Sequence, residues 1–488
     1  MEASLVANMA PMMFAALVVF LLIGYPVAFS LAAVGVLFGW IGIELGLLTP
    51  ALLQALPDRI FGIMKNEILL AIPFFTFMGL VLERSGMAEE LLETIGQLFG
   101  TVRGGLAYAV IFVGALLAAT TGVVAASVIS MGLISLPIML RYGYAQSLAT
   151  GVIAASGTLA QIIPPSLVLI VMADVLGRSV GDMYAGALLP GLLLTGLYVV
   201  WVLVNTLVRP HAVPALPAEA RALHGLALLN RVGVSMVPPL VLMFLVLGTI
   251  FIGWATPTEG GAMGAVGALA LAAGKGRLNR RMLTQALERT AQITSFVVFI
   301  LIGSSVFSLT FRAVDGDLWV EHLLTSLPGG VVGFLVFVNL LVFLLAFFLD
   351  FFEISFIILP LLAPVAEKLG IDLVWFGVLL AVNMQTSFMH PPFGFALFYL
   401  RSVAPPQVKT TQIYRGAIPF LGIQLLMVAL IIAFPGLVRS PLGVPVAAAA
   451  APIEVVAPPT QARSLLDSPD FGDLLERQRA LDTPDGPR

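Results

Sequence analysis

The sequence predicts an all-α polytopic membrane protein made of two related halves, each carrying a helical hairpin and a broken helix. Three observations lead there. Hydrophobic residues fill 59% of the 488 positions and charged residues only 10%, a balance that no soluble core of this size could hide. Apolar runs of about twenty residues recur between Pro11 and Leu437, and a helix needs roughly that length to cross a ~30 Å hydrocarbon layer; we expect about ten crossings plus shorter segments. Finally, Pro137, Gly143, Pro164 and Pro165 recur as Pro364, Gly370, Pro391 and Pro392, each pair 227 residues apart.

Taken in order, Met12 to Leu48 is one apolar stretch interrupted at Gly24-Tyr25-Pro26, where proline removes a backbone donor and invites a break. The first run lacks a cleavage site and reads as a retained membrane segment. A polar interval, Pro57 to Glu67, and a charged turn, Glu83-Arg84-Ser85-Gly86, lead to Met87–Leu98. The acidic and apolar residues of that segment alternate at helical spacing, as in a helix lying along the membrane surface. The polar connection Arg209 to Arg231 and the basic loop Lys275 to Arg281 should both be cytoplasmic by the positive-inside rule. Glu259, in Thr256-Pro257-Thr258-Glu259, is placed to cap the following helix as a first-turn acid. We expect a first repeat over residues 1–208, a polar connector over 209–232, a second repeat over 233–438 and an Ala/Pro-rich, then charged, disordered tail over 439–488.

Net charge is −3 and the basic residues sit in short connections, so nothing points to a nucleic-acid partner; the absence of cysteine excludes disulfides and thiolate metal sites. In the register of the repeat Ser156 meets Asn383, and with a two-residue insertion Pro190 meets Pro419. Duplicated units in a membrane protein are commonly inverted, with a site at the midplane where they face each other. The first unit carries Ala119-Thr120-Thr121-Gly122 in its hairpin and Ala155 to Ser166 in its broken helix. The second carries Phe348 to Glu353 and Asn383 to Pro392. Breaking a helix inside a bilayer frees carbonyls and amides, tolerable only where protein, water or an ion satisfies them. Oxygen ligands suit a hard cation such as sodium, while half-helix N-termini favour an anion, so the breaks fit a cation bound together with a carboxylate.

Each candidate has a bland alternative. Proline doublets alone shape packing, and Thr120, Thr121 and Ser127 can bond back to their own helices. Asp350 and Glu353, three apart and so on one helical face, are intramembrane acids that read as functional by default; the alternative is a neutral structural acid. His390 is either a ligand or a packing residue.

Ile72-Pro73-Phe74-Phe75, Glu83-Arg84-Ser85-Gly86, Ile162-Ile163-Pro164-Pro165-Ser166, Thr256-Pro257-Thr258-Glu259, Leu349-Asp350 and Pro391-Pro392-Phe393-Gly394 together resemble the large membrane subunit of tripartite ATP-independent periplasmic (TRAP) transporters, over about residues 10 to 438. The resemblance implies an inverted-repeat, elevator-type carrier of the bacterial inner membrane. Its partners would be a small four-helix membrane subunit and a periplasmic substrate-binding protein, its cargo a small organic acid, and its coupling ion sodium, with no other cofactor. On this reading Thr120, Thr121, Gly122, Ser156, Gly157 and Thr158 form one sodium region, and Asp350, Asn383, Gln385 and Thr386 the other. Ser127, Gln161, Pro164, Pro165, Ser166, Glu353, His390, Pro391 and Pro392 are the substrate candidates. Two departures from the family pattern bear on ion number and substrate preference: Thr121-Gly122-Val123 stands where many members have Ser-Gly-Ser, and His390 where Thr is usual.

Three other readings compete, one of them a nonenzymatic membrane scaffold, which would not account for duplicated, polar-lined helix breaks. A stand-alone divalent-anion symporter of related architecture would need no soluble receptor. An intramembrane enzyme has little support, since no His-Glu-x-x-His motif occurs and Asp315-Gly316-Asp317 lies in a polar segment.

Overall fold

A computed structural model describes residues 8–217, 219, 225–347 and 349–438, without the side chains of Ala88, Thr120 and Thr121; the predicted tail lies outside the described residues. Helix α1 (Met9–Ile23) stops at Gly24, whose φ is +90°, and α2 (Val27–Glu44) restarts after Pro26, as the sequence predicts. The chain continues through α3 (Leu56–Met64), α4 (Ala71–Arg84), α5 (Met87–Leu98), the hairpin α6 (Gly105–Thr121) and α7 (Val124–Arg141), then the broken pair α8 (Gln146–Thr158) and α9 (Leu167–Val175), and α10 (Val180–Val208). The second half runs α11 (Gly225–Ile252), α12 (Pro257–Gly274), α13 (Arg280–Ala313), α14 (Gly316–Thr325), and the hairpin α15 (Gly330–Leu345) with α16. Helix α16 covers 351–368 and includes a π-helical stretch, Ile354–Ile358. The broken pair α17 (Leu373–Gln385) and α18 (Phe395–Val403) and then α19 (Thr410–Ala433) complete it.

Helix boundaries recur with the sequence offset. Gln146–Thr158 and its 3₁₀ extension Leu159–Gln161 reappear, 227 residues on, as Leu373–Gln385 and Thr386–Phe388. Packing between the halves is reciprocal: α2 lies on α13 and α4 on α12, while α8 lies on α19 and α17 on α10. With α2 matching α12, α4 matching α13, α8 matching α17 and α10 matching α19, each contact has an exchanged twin. That is the isologous pattern a two-fold axis generates. The α8–α19 crossing is close enough to require glycine, since a Cβ at Gly416 would stand 2.0 Å from the Ser147 carbonyl oxygen.

Among the described residues six helices are long and apolar enough to span a bilayer, or up to 8 counting two bent pairs, with shorter apolar helices beside them. The expectation of about ten full crossings is corrected accordingly. Hydropathy registers apolar runs, and the hairpin arms and broken helices are apolar without each being a full-length span. Large apolar side chains such as Phe244 and Leu226 face outward, as lipid-facing surfaces do.

Helix α5 buries Met87, Leu91, Leu92 and Ile95. Its acidic face meets both basic connections, with Glu90 paired to Lys275 and Glu93 to Arg231. Glu259 forms a capping box with Thr256 at the start of α12, the structural role expected of it. In α16, Pro360 has no N–H to offer the carbonyl four residues back, that of Phe356; Ser304 Oγ on α13 donates to it at 2.5 Å.

Candidate functional site

Both hairpin tips are set by local chemistry. Helix α6 ends at Gly122, whose φ of +59° is a left-handed conformation that L side chains rarely adopt, and the tip rests on the start of α9, with Leu167 Cγ 3.3 Å from where a Cβ would be. At the second tip Asp350 is extended rather than helical. Its Oδ1 accepts from the Glu353 amide and Glu353 Oε2 accepts from the Asp350 amide, both at 2.9 Å. This corrects the expectation that the two acids share a helical face: Asp350 precedes the helix, and the pair forms its reciprocal cap.

Each broken helix lies against its own hairpin. Ser156 and Gly157 are held between the arms of the first: a Cβ on Gly114 of α6 would come 2.5 Å from Ser156 Cβ, and one on Gly157 would come 2.3 Å from Val128 Cγ2 of α7. Asn339, tenth in α15 as Gly114 is in α6, receives the equivalent contact in the second half. Asn383 Nδ2 donates to the Asn339 carbonyl at 2.8 Å and to its Oδ1 at 3.0 Å. Ser156 Oγ, Asn383 Oδ1 and Gln385 Oε1 are buried oxygens without a hydrogen-bond partner. They are therefore chemically able to coordinate a cation. Two other sequence candidates are already engaged: Thr386 Oγ1 donates to the Asn383 carbonyl at 2.6 Å, and Thr158 Oγ1 donates to the Ala155 carbonyl at 2.8 Å and accepts from Gln385 Nε2 at 3.0 Å. The Thr158 hydroxyl, which also accepts from Gln424 Nε2 at 3.3 Å, is filled by internal bonds, whereas the donating Thr386 hydroxyl keeps its lone pairs for a cation. The side chains of Thr120 and Thr121 lie outside the described residues.

Between the tips is a cavity of about 350 Å³ lined by Gly122–Ala125 of the first, Asp350–Phe352 of the second, Gln161 and the aromatic rings of Phe388 and Tyr399. Its remaining wall is α13, which contributes Arg289, Gln292 and Phe296. The leading residues of α9 and α18, Leu167 and Phe395, also line it, so two half-helix N-termini converge on the space and favour negative charge there. Both polar atoms of the Gln161 side chain are buried and unpartnered. Arg289 is bonded through Nη1 to Gln292 Oε1 at 3.1 Å, one turn along its own helix.

Several predicted substrate contacts are not at this cavity. His390 is packed between rings, 4.3 Å from the centroid of Phe347 and 4.2 Å from that of Phe343. Ser166 caps α9, accepting from the Leu169 amide and donating to the Gln161 carbonyl. Pro164, Pro165, Pro391 and Pro392, the doublets joined by cis peptides, and the buried Ser127 are absent from the lining. Glu353 faces a separate, mostly apolar cavity of about 850 Å³ beside the α1–α2 junction. Their polarity or proline character drew attention; in the structure His390 is enclosed by rings and Ser166 is spent on a helix cap. Arg289 and Asn339 were missed: Arg289 belongs to a charged helix start that reads as solvated, and Asn339 to an apolar run.

The family model of the tripartite ATP-independent periplasmic transporter DctM component matches residues 14–437. The C4-dicarboxylate TRAP transporter large permease protein DctM of Pseudomonas aeruginosa is 31% identical over 80% of this chain and 89% of its own length. The sialic acid TRAP transporter large permease protein SiaM of Vibrio cholerae is 27% identical over 84% of this chain and 93% of its own. The crystal structure of the Alcanivorax borkumensis YdaH transporter shares the fold, with a TM-score of 0.59 at 16% identity, covering 82% of this chain and 91% of that one.

Proposed function

Because this chain belongs to the tripartite ATP-independent periplasmic transporter family as a DctM component, a multi-pass large permease subunit of the bacterial inner membrane and not an enzyme, we propose that it imports a small organic acid, driven by a sodium gradient. The observation that carries the reading is the cavity between the hairpin tips, where Arg289 and two half-helix N-termini meet. A guanidinium binds carboxylate in a bidentate fork, and a cavity of a few hundred cubic ångströms suits a small ligand. A C4-dicarboxylate, the substrate in the name of the Pseudomonas aeruginosa relative, is the first compound to test. Sodium is assigned to the unpartnered oxygens of Ser156 beside the first hairpin and of Asn383 and Gln385 beside the second. A periplasmic receptor delivers the acid, and a small membrane subunit braces the scaffold.

Movement is of the elevator type: hairpins and broken helices travel as one body along α4 and α13. Polar links across that boundary include Asn66 to Asp174 at 2.6 Å, Ser130 to Glu83 at 3.0 Å, and Ser304 to the Phe356 carbonyl. The cavity lies alongside residues 289–296 of α13, nearer the Arg280 end and its basic loop than the Ala313 end.

The test is uptake into proteoliposomes holding this chain and its small subunit, with loaded receptor outside. Uptake should require inward sodium and no ATP. Uptake unchanged in sodium-free, potassium-balanced buffer refutes the coupling, and equal uptake without receptor selects the stand-alone symporter instead.

A further inference from the structure

The hydrogen bond from Gln385 Nε2 to Thr158 Oγ1, 3.0 Å, joins residues 227 apart, which is the offset of the repeat. Repeat-equivalent residues touch each other only beside a two-fold axis, so this bond marks where the two broken helices meet. Each partner is the last residue of its helix, Thr158 of α8 and Gln385 of α17. Each also stands two positions after an unpartnered buried oxygen, those of Ser156 and Asn383. Gln424 of α19 adds Nε2 contacts to Thr158 Oγ1 at 3.3 Å and to the Tyr198 hydroxyl of α10 at 3.0 Å. All four side chains are fully buried.

We infer that the Thr158–Gln385 bond is a positioning link that makes the two halves bind sodium cooperatively. The inference rests on the sodium reading above. An ion that dehydrates into one half draws its oxygens inward and fixes the end of that broken helix. Because the helix end is bonded to its equivalent, the other half is ordered at the same time, and its ion binds with less left to organise. Thr158 Oγ1 is fully engaged within the protein, so its contribution is made through the link and not as an ion ligand. A link of one hydrogen bond couples two sites by about tenfold or less, and tenfold coupling of two sites gives a Hill coefficient of about 1.5.

The experiment is equilibrium binding of radioactive sodium to the purified full-length chain, with choline holding ionic strength constant. The wild type should bind with a Hill coefficient of about 1.5, Thr158→Val should fall to about 1 while the number of ions bound stays the same, and Thr158→Ser should restore the wild-type curve. Gln424→Leu removes a neighbouring buried amide but leaves the link, and should keep its cooperativity; Thr158→Ala replaces Thr158→Val if that variant does not fold. Wild-type cooperativity in a folded Thr158→Val protein overturns the inference, as does a non-cooperative wild type or the loss of a whole ion from that variant. Absence of saturable sodium binding in the wild type removes the sodium reading itself and this inference with it.

Discussion

Replacing Arg289 with Gln tests the cavity most directly, because the side chain has few other obligations. Its recorded hydrogen bond goes to Gln292, 3.1 Å away on the same exposed face of α13. Losing it strands no buried partner, so stability should change by no more than about 0.5 kcal/mol. A substrate carboxylate, by contrast, would lose a charge-assisted hydrogen bond of about 1.5–3 kcal/mol, which corresponds to a rise in half-saturating substrate of roughly ten- to 150-fold. Arg289→Lys keeps the charge without the planar fork and should fall between. The assay is initial uptake into proteoliposomes as receptor-bound substrate is titrated at saturating sodium, then as sodium is titrated at saturating substrate. The substrate curve should shift and the sodium curve should not. A folded Arg289→Gln protein with unaltered substrate dependence, or with a defect confined to sodium, refutes the assignment.

Ser156→Ala and Asn383→Ala each remove a buried oxygen, and half-saturating sodium in uptake should rise by about five- to 150-fold, for about 1–3 kcal/mol; sodium curves that overlay the wild type contradict the ion sites. At the second tip, Asp350→Asn preserves a capping acceptor and should hold its melting temperature, whereas Asp350→Ala should lose about 1 kcal/mol in thermal unfolding, and equal melting of the two removes the capping account. Thr256→Ala should destabilise by a similar ~1 kcal/mol and leave the sodium dependence of uptake as it was. The natural chain has no cysteine, so a Glu83→Cys, Ser130→Cys pair can be bridged by a short bifunctional thiol reagent without background; bridging should stop transport, and undiminished flux in the bridged protein rules out movement across that boundary.

The repeat was readable because proline and glycine constrain the backbone whatever surrounds them: Pro164-Pro165 and Pro391-Pro392 mark equivalent breaks, and the helices around them begin and end in register. Side-chain roles were less readable. Three-residue spacing puts Asp350 and Glu353 on one face only if both are within a helix, and the cap lies outside it. Arg289 precedes the second tip by some sixty residues, so no local pattern could reveal that a hairpin arrives opposite it. His390 carried the signal of a titratable group in an apolar segment, yet its ring is filled in by Phe343 and Phe347. The apolar count overshot the spans for a related reason, since a run of hydrophobic residues does not reveal where a chain turns back.

Gly114 and Asn339 hold matching places in the two hairpins, and the consequence is that the halves, though alike in backbone, are no longer spare copies of each other. An asparagine at 114 would put its Cβ 2.5 Å from Ser156 Cβ, while a glycine at 339 would withdraw the side-chain oxygen that Asn383 Nδ2 now reaches. A chimera carrying the first half twice would therefore inherit the right chain path and the wrong lining. Ancestry survives here in the course of the main chain, and individuality has settled in single side chains, so a mutation in one half cannot be read across to its counterpart.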